Sequence, residues 1–419
     1  MINVLVFPCG SEVAIEVHRA LHFEKNINLI GLSSVEDHGK FVFENYIGDC
    51  PFFDNNDFIP YLKNIVESNQ IDVIYPCMDI VLPILKDNET FLGCKVVTSE
   101  LETTRICLSK LHTYQVLKET IKVPEIYNEY ENINFPLFSK PNIGASSRNT
   151  FKILDELDFS FYTKKFPENL ILEYLPGDEF TVDCFTDFNG NLLFSSARKR
   201  NRISNGISVN TQIVYDPIFD DWAKKINQKL KFNGAWFFQV KFDKNNILTL
   251  LEVATRIAGS SSIQRYRGVN LPLLSIYNIL GYPVSIQVNN IELKLDRGLD
   301  VLPKIDFYFE NVYFDFDDTL VVKDTVNPIA IKVIYSLLNK GKKIFLITRH
   351  ALNIKQSLDK YKIPEFIFTE IIHLKLNENK SDFIKEYSVF VDDSFSERIQ
   401  VQNAVNCKVI SIDIIDMLL

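Results

Sequence analysis

The sequence predicts a multidomain chain that joins α/β and α+β units. Three observations predict it. A length of 419 residues exceeds one ordinary domain. At both ends of the chain, short apolar runs alternate with helical segments, the pattern of parallel sheets with crossover helices. Between them, from Pro124 to about Arg297, apolar runs are joined by turn signals such as Asn189-Gly190 and Asn245-Asn246, which reads as a largely antiparallel α+β region. The predicted boundaries are 1–103 for the leading α/β domain, 104–300 for the middle domain and 311–419 for the closing one.

Composition excludes several classes of function. Hydrophobic residues make up 46% and charged residues 24%, so the chain is globular rather than disordered or fibrous. A net charge of −9 disfavours nucleic-acid or anionic-membrane partners. The seven cysteines show no metal-site or redox spacing and read as buried reduced thiols. No apolar run reaches the roughly 20 residues needed to cross a bilayer, and the amino terminus lacks a leader pattern. A soluble, cytoplasmic protein acting on small molecules is the expectation.

In the leading unit INVLVF, NINLIGLS, IDVIYP and CKVVTS read as buried strands, with EVAIEVHRAL as the first helix. The turn Pro8-Cys9-Gly10-Ser11 is only a fragment of a nucleotide-binding fingerprint. Residues 101–120 read as one helix. The middle unit follows with FPLFSKP, NLILEYL, EFTVDCFTD, NLLFSSARK, AWFFQVKF and ILTLLEVA as strands. From Asn311 strict alternation returns, with VYFDFDD, KKIFLIT, EFIFTE, SVFVDD and KVISI as strands of a small doubly wound sheet.

Chemistry concentrates where the strands of this last sheet end. Asp315 and Asp317 follow the first, Thr348 closes the second, and Asp392-Asp393 close a later one, with Lys380 shortly before. Clustered carboxylates repel one another unless a hard cation joins them, most simply Mg²⁺. A carboxylate beside such an ion can attack phosphorus. In the middle unit, FSKPNIGASS places Lys140 before a loop of small residues. That is either a phosphate-binding loop or an ordinary hairpin. Glu173 and Glu179 flank Pro176-Gly177, an arrangement suited to adenosine. If Asn245-Asn246 forms a two-residue turn, Gln239 faces Glu252 across the hairpin, either as ligands of one Mg²⁺ or as a simple hydrogen-bonded pair. Arg256 follows on the side of Glu252. The run Arg198-Lys199-Arg200-Asn201-Arg202 reads as a clamp for phosphate or substrate.

The closing unit resembles the haloacid dehalogenase-like (HAD) phosphohydrolases, with a HAD-like Rossmannoid fold. That resemblance implies Asp315 as nucleophile and Asp317 as general acid/base. It implies Thr348 and Lys380 on the phosphoryl group, although Lys375 and Lys385 lie nearby. Mg²⁺ would be held by Asp315, Asp392 and the Asp317 backbone carbonyl. The spacing leaves no room for a large cap, so the site is either open or covered by neighbouring domains.

Residues 1–300 resemble the ATP-grasp superfamily, in particular carboxylate–amine ligases of the carbamoyl-phosphate-synthetase-like branch, with a pre-ATP-grasp domain leading. The resemblance implies Lys110, Lys140, Ser146 and Ser147 at the ATP phosphates. It implies Glu173, Tyr174 and Leu175 at adenine and Glu179 at ribose. Gln239 and Glu252 would hold Mg²⁺, with Mn²⁺ as an alternative, and Arg256 would stabilise an acyl-phosphate. One departure is Ala254, where that family usually has a metal-binding Asn. The combination implies ATP-dependent ligation of a carboxylate to an amine, one of them phosphorylated, followed or preceded by phosphate removal. A kinase paired with its opposing phosphatase and a non-catalytic nucleotide-binding regulator are the alternatives.

Overall fold

The structure, a computed structural model, describes every residue except 128–132, 145–147, 205, 299, 300 and 306, and only the backbone of 301–304. Two parallel five-stranded sheets flank a seven-stranded antiparallel sheet. In the leading sheet the neighbours run Asn45–Ile47, Ile27–Leu32, Ile2–Phe7, Val73–Pro76, Lys95–Val96. Val4, Leu5 and Val6 are fully buried on successive faces, as expected of a strand covered on both sides. The winding direction reverses between Ile2–Phe7 and Val73–Pro76, which opens a crevice beyond their carboxyl ends. Ser11 caps the helix Glu12–Leu21 at that crevice by accepting from the Ala14 N–H. The fragmentary nucleotide turn is occupied differently. A Cβ on Gly10 would lie 2.1 Å from the Asp37 carboxyl carbon, so an anion already fills that corner.

The segment expected as one helix over 101–120 is two, Leu101–Leu108 and Lys110–Leu117. Ser109 between them is extended, accepts from the His112 N–H and donates to Asn142 Oδ1 at 3.1 Å. A serine gains more as an N-cap than inside a helix, where its hydroxyl competes with the backbone. The break places Lys110 on the first turn of the second helix.

The antiparallel sheet runs Leu248–Ala254, Gly234–Phe242, Glu179–Thr186, Leu192–Ser204, Ile207–Val214, Leu293–Arg297, Val301–Ile305. A smaller sheet of Phe151–Ile153, Leu137–Pro141 and Asn169–Glu173 lies beside it. Gln239 does face Glu252, but by a different route from a two-residue turn. Phe242 pairs with Leu248, Lys241 with Thr249 and Val240 with Leu250, so Leu251 is an extra, bulged residue before Glu252. Gly177 donates to the Phe242 carbonyl at 3.0 Å, and a Cβ there would stand 2.6 Å from the Phe242 Cβ, which accounts for glycine at this turn.

The closing sheet is parallel, in the order Glu370–His373, Lys343–Thr348, Asn311–Phe314, Val389–Val391, Lys408–Ile410. It repeats the topology of the leading sheet, with its own reversal between Asn311–Phe314 and Val389–Val391. The units share packed surface. One apolar core runs from Ile263, Leu293 and Leu295 of the middle unit into Val312, Phe314 and Leu337 of the closing one. At the centre of the junction Arg265, 3% exposed, donates to Glu16 Oε1 at 2.8 Å and to the Asp413 carbonyl. Asn270 bridges the Ala20 carbonyl and the Asp413 carboxyl at 2.9 and 3.1 Å. All seven cysteines are free and buried. Among the described residues, no helix is long and apolar enough to cross a membrane.

Removing one member of a buried ion pair strands the other charge. Arg265→Ala should therefore lower the unfolding free energy in urea by about 3–5 kcal/mol, whereas an Arg265→Met, Glu16→Met double variant should lose much less.

Candidate functional site

Two adjoining cavities open beside the antiparallel sheet. The larger, about 890 Å³, lies between the leading unit and the antiparallel sheet. It is bounded by Ser11 and Asp79 on one side and by Arg198, Gln239, Glu252 and Arg256 on the other. It adjoins a narrower cavity of about 180 Å³. Lys110, Lys140, Glu173, Tyr174, Leu175, Glu179, Gln239 and Glu252, singled out from sequence, all line the narrower one. Ser146 and Ser147 lie outside the described residues.

Local structure explains how the cations are aimed. Leu251, the bulged residue, offers its carbonyl to the Tyr114 hydroxyl at 2.7 Å and to Lys140 Nζ at 2.9 Å. Lys110 Nζ donates to the Gly144 carbonyl at 2.9 Å. Burial pushes the Lys140 ammonium down to about 7, and the Lys110 charge adds to the effect. Tyr174 lies under the ammonium groups of Lys152 and Lys241, 4.2 and 6.0 Å from its ring centre. Phe237, Ala254 and Ala258 form a small apolar cluster in the lining of the larger pocket, so the position of the missing Asn offers no side-chain ligand atom.

Several expected groups are already paired. Arg256 makes a two-point bridge to Asp79 of the leading unit, at 2.7 and 2.5 Å, and stacks over Phe237. Glu179 is bound by Arg200, whose guanidinium also donates to Gln239 Oε1 at 3.0 Å. The basic run expected to act as a free clamp is divided among partners. Arg198 is buried against Asp183 and Ser260, Lys199 pairs with Asp178, and Arg202 pairs with Asp296. Strand alternation turns Arg198 and Arg200 into the large pocket and Lys199 away from it, while the register shifts on either side of Arg202 leave that residue outside, on Asp296.

A second cluster of charged side chains sits at the reversal of the closing sheet. Lys380 Nζ bridges Asp315 Oδ1 at 2.7 Å and Asp392 Oδ2 at 2.6 Å, which selects Lys380 over Lys375 and Lys385 as the buried cation. Burial and the neighbouring Asp392 push the Asp315 carboxyl up to about 7, against the lowering pull of Lys380. Oxygen atoms of Asp315, Asp392 and Asp393 lie within 4.8 Å of one another. Three carboxylates this close, two of them on Lys380 and the third on Lys25, suit a divalent cation with oxygen ligands. Asp317, whose backbone carbonyl was expected at the metal, has its carboxylate outside that cluster. Both its oxygens lie 2.9 Å from His350 Nδ1, and His350 Nε2 meets Ser357 Oγ at 2.7 Å. Thr348 is buried at the base, its Oγ1 accepting from the His350 N–H at 3.2 Å.

Comparison with known proteins bears on the larger pocket. Residues 165–297 match a family profile described as "ATP-grasp in the biosynthetic pathway with Ter operon". The fold is ATP-grasp-like. The biotin carboxylase of Campylobacter jejuni, solved with β,γ-ATP, superposes with a TM-score of 0.60 at 15% identity, covering 70% of this chain and 75% of that one. An L-amino acid ligase from Bacillus licheniformis superposes with a TM-score of 0.57 at 15% identity, covering 71% and 79%. In sequence, a D-alanine–D-alanine ligase of Thermotoga petrophila is 26% identical over 145 residues, 31% of this chain and 47% of the relative. The chain thus spans about half the length of that relative.

In the ATP-grasp-like part, sequence reasoning missed Asp79 and Tyr114, which lie on other segments of the chain. It named Arg200 only as one member of the basic run. In the closing unit it missed His350, two residues beyond Thr348 and so on the same side of the strand exit. Lys140 yields a sign-definite test. Its ammonium is depressed from 10.5 to about 7 in the folded chain. Between those values the unfolded chain holds a proton that the folded chain does not, so this group makes stability rise with pH. Below about 7 both states are protonated and the penalty is complete. Urea midpoints measured from pH 7 to 10 should rise more steeply for the wild type than for Lys140→Met.

Proposed function

We propose that the chain is a bifunctional enzyme: an ATP-dependent carboxylate–amine ligase joined to a Mg²⁺-dependent phosphatase of HAD type. The observation that carries the first half is the convergence of Lys110, Lys140, Glu173, Tyr174, Glu179, Gln239 and Glu252 on one narrow cavity that leads into a much larger one. Adenine would sit against Tyr174 and Leu175, with Glu173 at its amino group and Glu179 at the ribose. Glu179 must release Arg200 to do so, which frees that guanidinium for phosphate or substrate.

The cofactors are ATP and Mg²⁺. Gln239 and Glu252 fit one cation, being an opposed amide and carboxylate on the same face. Bound there, Mg²⁺ would offset charge on the ATP phosphates. In the reaction a substrate carboxylate oxygen attacks the γ-phosphorus and the bond to the β-phosphate bridging oxygen breaks, leaving ADP and an acyl-phosphate. An amine nitrogen then attacks the acyl carbon, phosphate departs, and the nitrogen loses a proton. Lys110 and Lys140 hold the phosphoryl oxygens, and Arg256, oriented by Asp79, faces the acyl-phosphate.

The carboxylate cluster supports the second half. Asp315 attacks a phosphomonoester phosphorus, and Asp317 delivers a proton to the departing oxygen. Water, deprotonated by Asp317, then cleaves the aspartyl-phosphate. Thr348 and Lys380 hold the phosphoryl oxygens, and Asp315, Asp392 and Asp393 fit the metal. The substrates are small molecules, a carboxylate and an amine, one of which carries a phosphate that this pocket removes.

Asp315→Asn should reduce phosphomonoester hydrolysis at least ~10³-fold while leaving amine-dependent ADP release intact. Mass spectrometry should then find the amide product still phosphorylated. If the variant forms the same final product as the wild type, the sequential scheme is wrong.

A further inference from the structure

The closing unit has little of its own with which to cover its carboxylate cluster. Between the strand Asn311–Phe314 and the helix Pro328–Asn339 stands only a small hairpin, Val321–Val322 with Thr325–Val326. The leading unit lies there instead. Its turn 22–26 follows the helix Glu12–Leu21, and Lys25 Nζ reaches Asp318 Oδ2 at 3.1 Å and Asp393 Oδ2 at 3.2 Å. Those carboxylates sit on the two loops that carry Asp315 and Asp392. Lys323, at the tip of the hairpin, returns the contact by donating to the Ile27 carbonyl at 3.1 Å. Arg265 and Asn270 fix the same helix to the carboxy-terminal segment from the other side.

We infer that the leading unit covers the carboxylate cluster of the closing unit, and that Lys25 is a positioning residue that orients Asp393 and offsets its charge beside the metal and the incoming phosphate. The inference rests on the phosphatase reading above. Lys25 is half exposed, and an ion pair in that setting adds little to stability. Its effect falls on what enters the pocket. Lys380 neutralises Asp315 and Asp392 from below, while Lys25 neutralises Asp393 from the rim. Without Lys25 the carboxylates present one more uncompensated charge, which attracts Mg²⁺ and repels a phosphate dianion.

The test uses the full-length chain with a panel of phosphomonoesters, Mg²⁺ titration calorimetry and an ADP-release assay. Lys25→Ala should raise KM for phosphomonoesters about 5–10-fold with kcat nearly unchanged, and should tighten Mg²⁺ binding about 3-fold. Lys25→Arg should restore both values, and amine-dependent ADP release should be unaffected, which also shows that the variant is folded. Unchanged KM and unchanged Mg²⁺ affinity in a wild type that hydrolyses phosphomonoesters would overturn this inference alone. A wild type that hydrolyses none would overturn the phosphatase reading and this inference with it.

Discussion

The arrangement depends on one buried guanidinium. Arg265 belongs to the short helix Ser262–Arg265 of the ATP-grasp-like part, yet its partners are Glu16 of the leading unit and the carbonyl of Asp413 near the last residues. A charge this deep is tolerable only when all three segments are in place. The apolar core that continues beneath it could slide, because hydrophobic contact has no direction. The ion pair cannot, and it fixes the angle at which the first helix meets the closing sheet. Both crevices inherit their shape from that angle.

The two parallel sheets solve the same geometric problem twice. Each reverses its winding beside its first strand, and each opens a crevice at the loops beyond that reversal. They differ in what the loops carry. In the leading sheet the loops offer Ser11 and Asp79, while Arg198, Gln239 and Glu252 come from the antiparallel sheet opposite. In the closing sheet the loops themselves carry Asp315, Asp392 and Asp393. The first crevice is therefore walled by two units, whereas the second carries its charged groups on its own loops.

Much of this was legible in the sequence because it is local. Apolar alternation marked both parallel sheets, and the acidic strand ends marked the closing pocket. What escaped was long-range pairing. Asp79 lies 177 residues from Arg256, and Lys25 lies 293 residues from Asp318, so no spacing rule connects them. Local rules also misled where two features compensate. The opposition of Gln239 and Glu252 follows from a two-residue turn in the sequence, but the chain reaches it with a longer loop and a bulge. The helix over 101–120 failed because periodicity ignores a single serine that serves better as a cap than inside a helix.

The bulge at Leu251 also constrains how this hairpin can vary in length. Side chains along a strand alternate, so a slip of one residue would move Glu252 to the opposite face. The extra residue at 251 offsets the register set by loop 243–247, so the two segments share one count. A residue gained in the loop would have to be matched by one lost at the bulge for Glu252 to keep its facing. Among descendants of this sequence, insertions and deletions in the two places should therefore occur as pairs, even though the loop is exposed and the bulge lies beside the pocket.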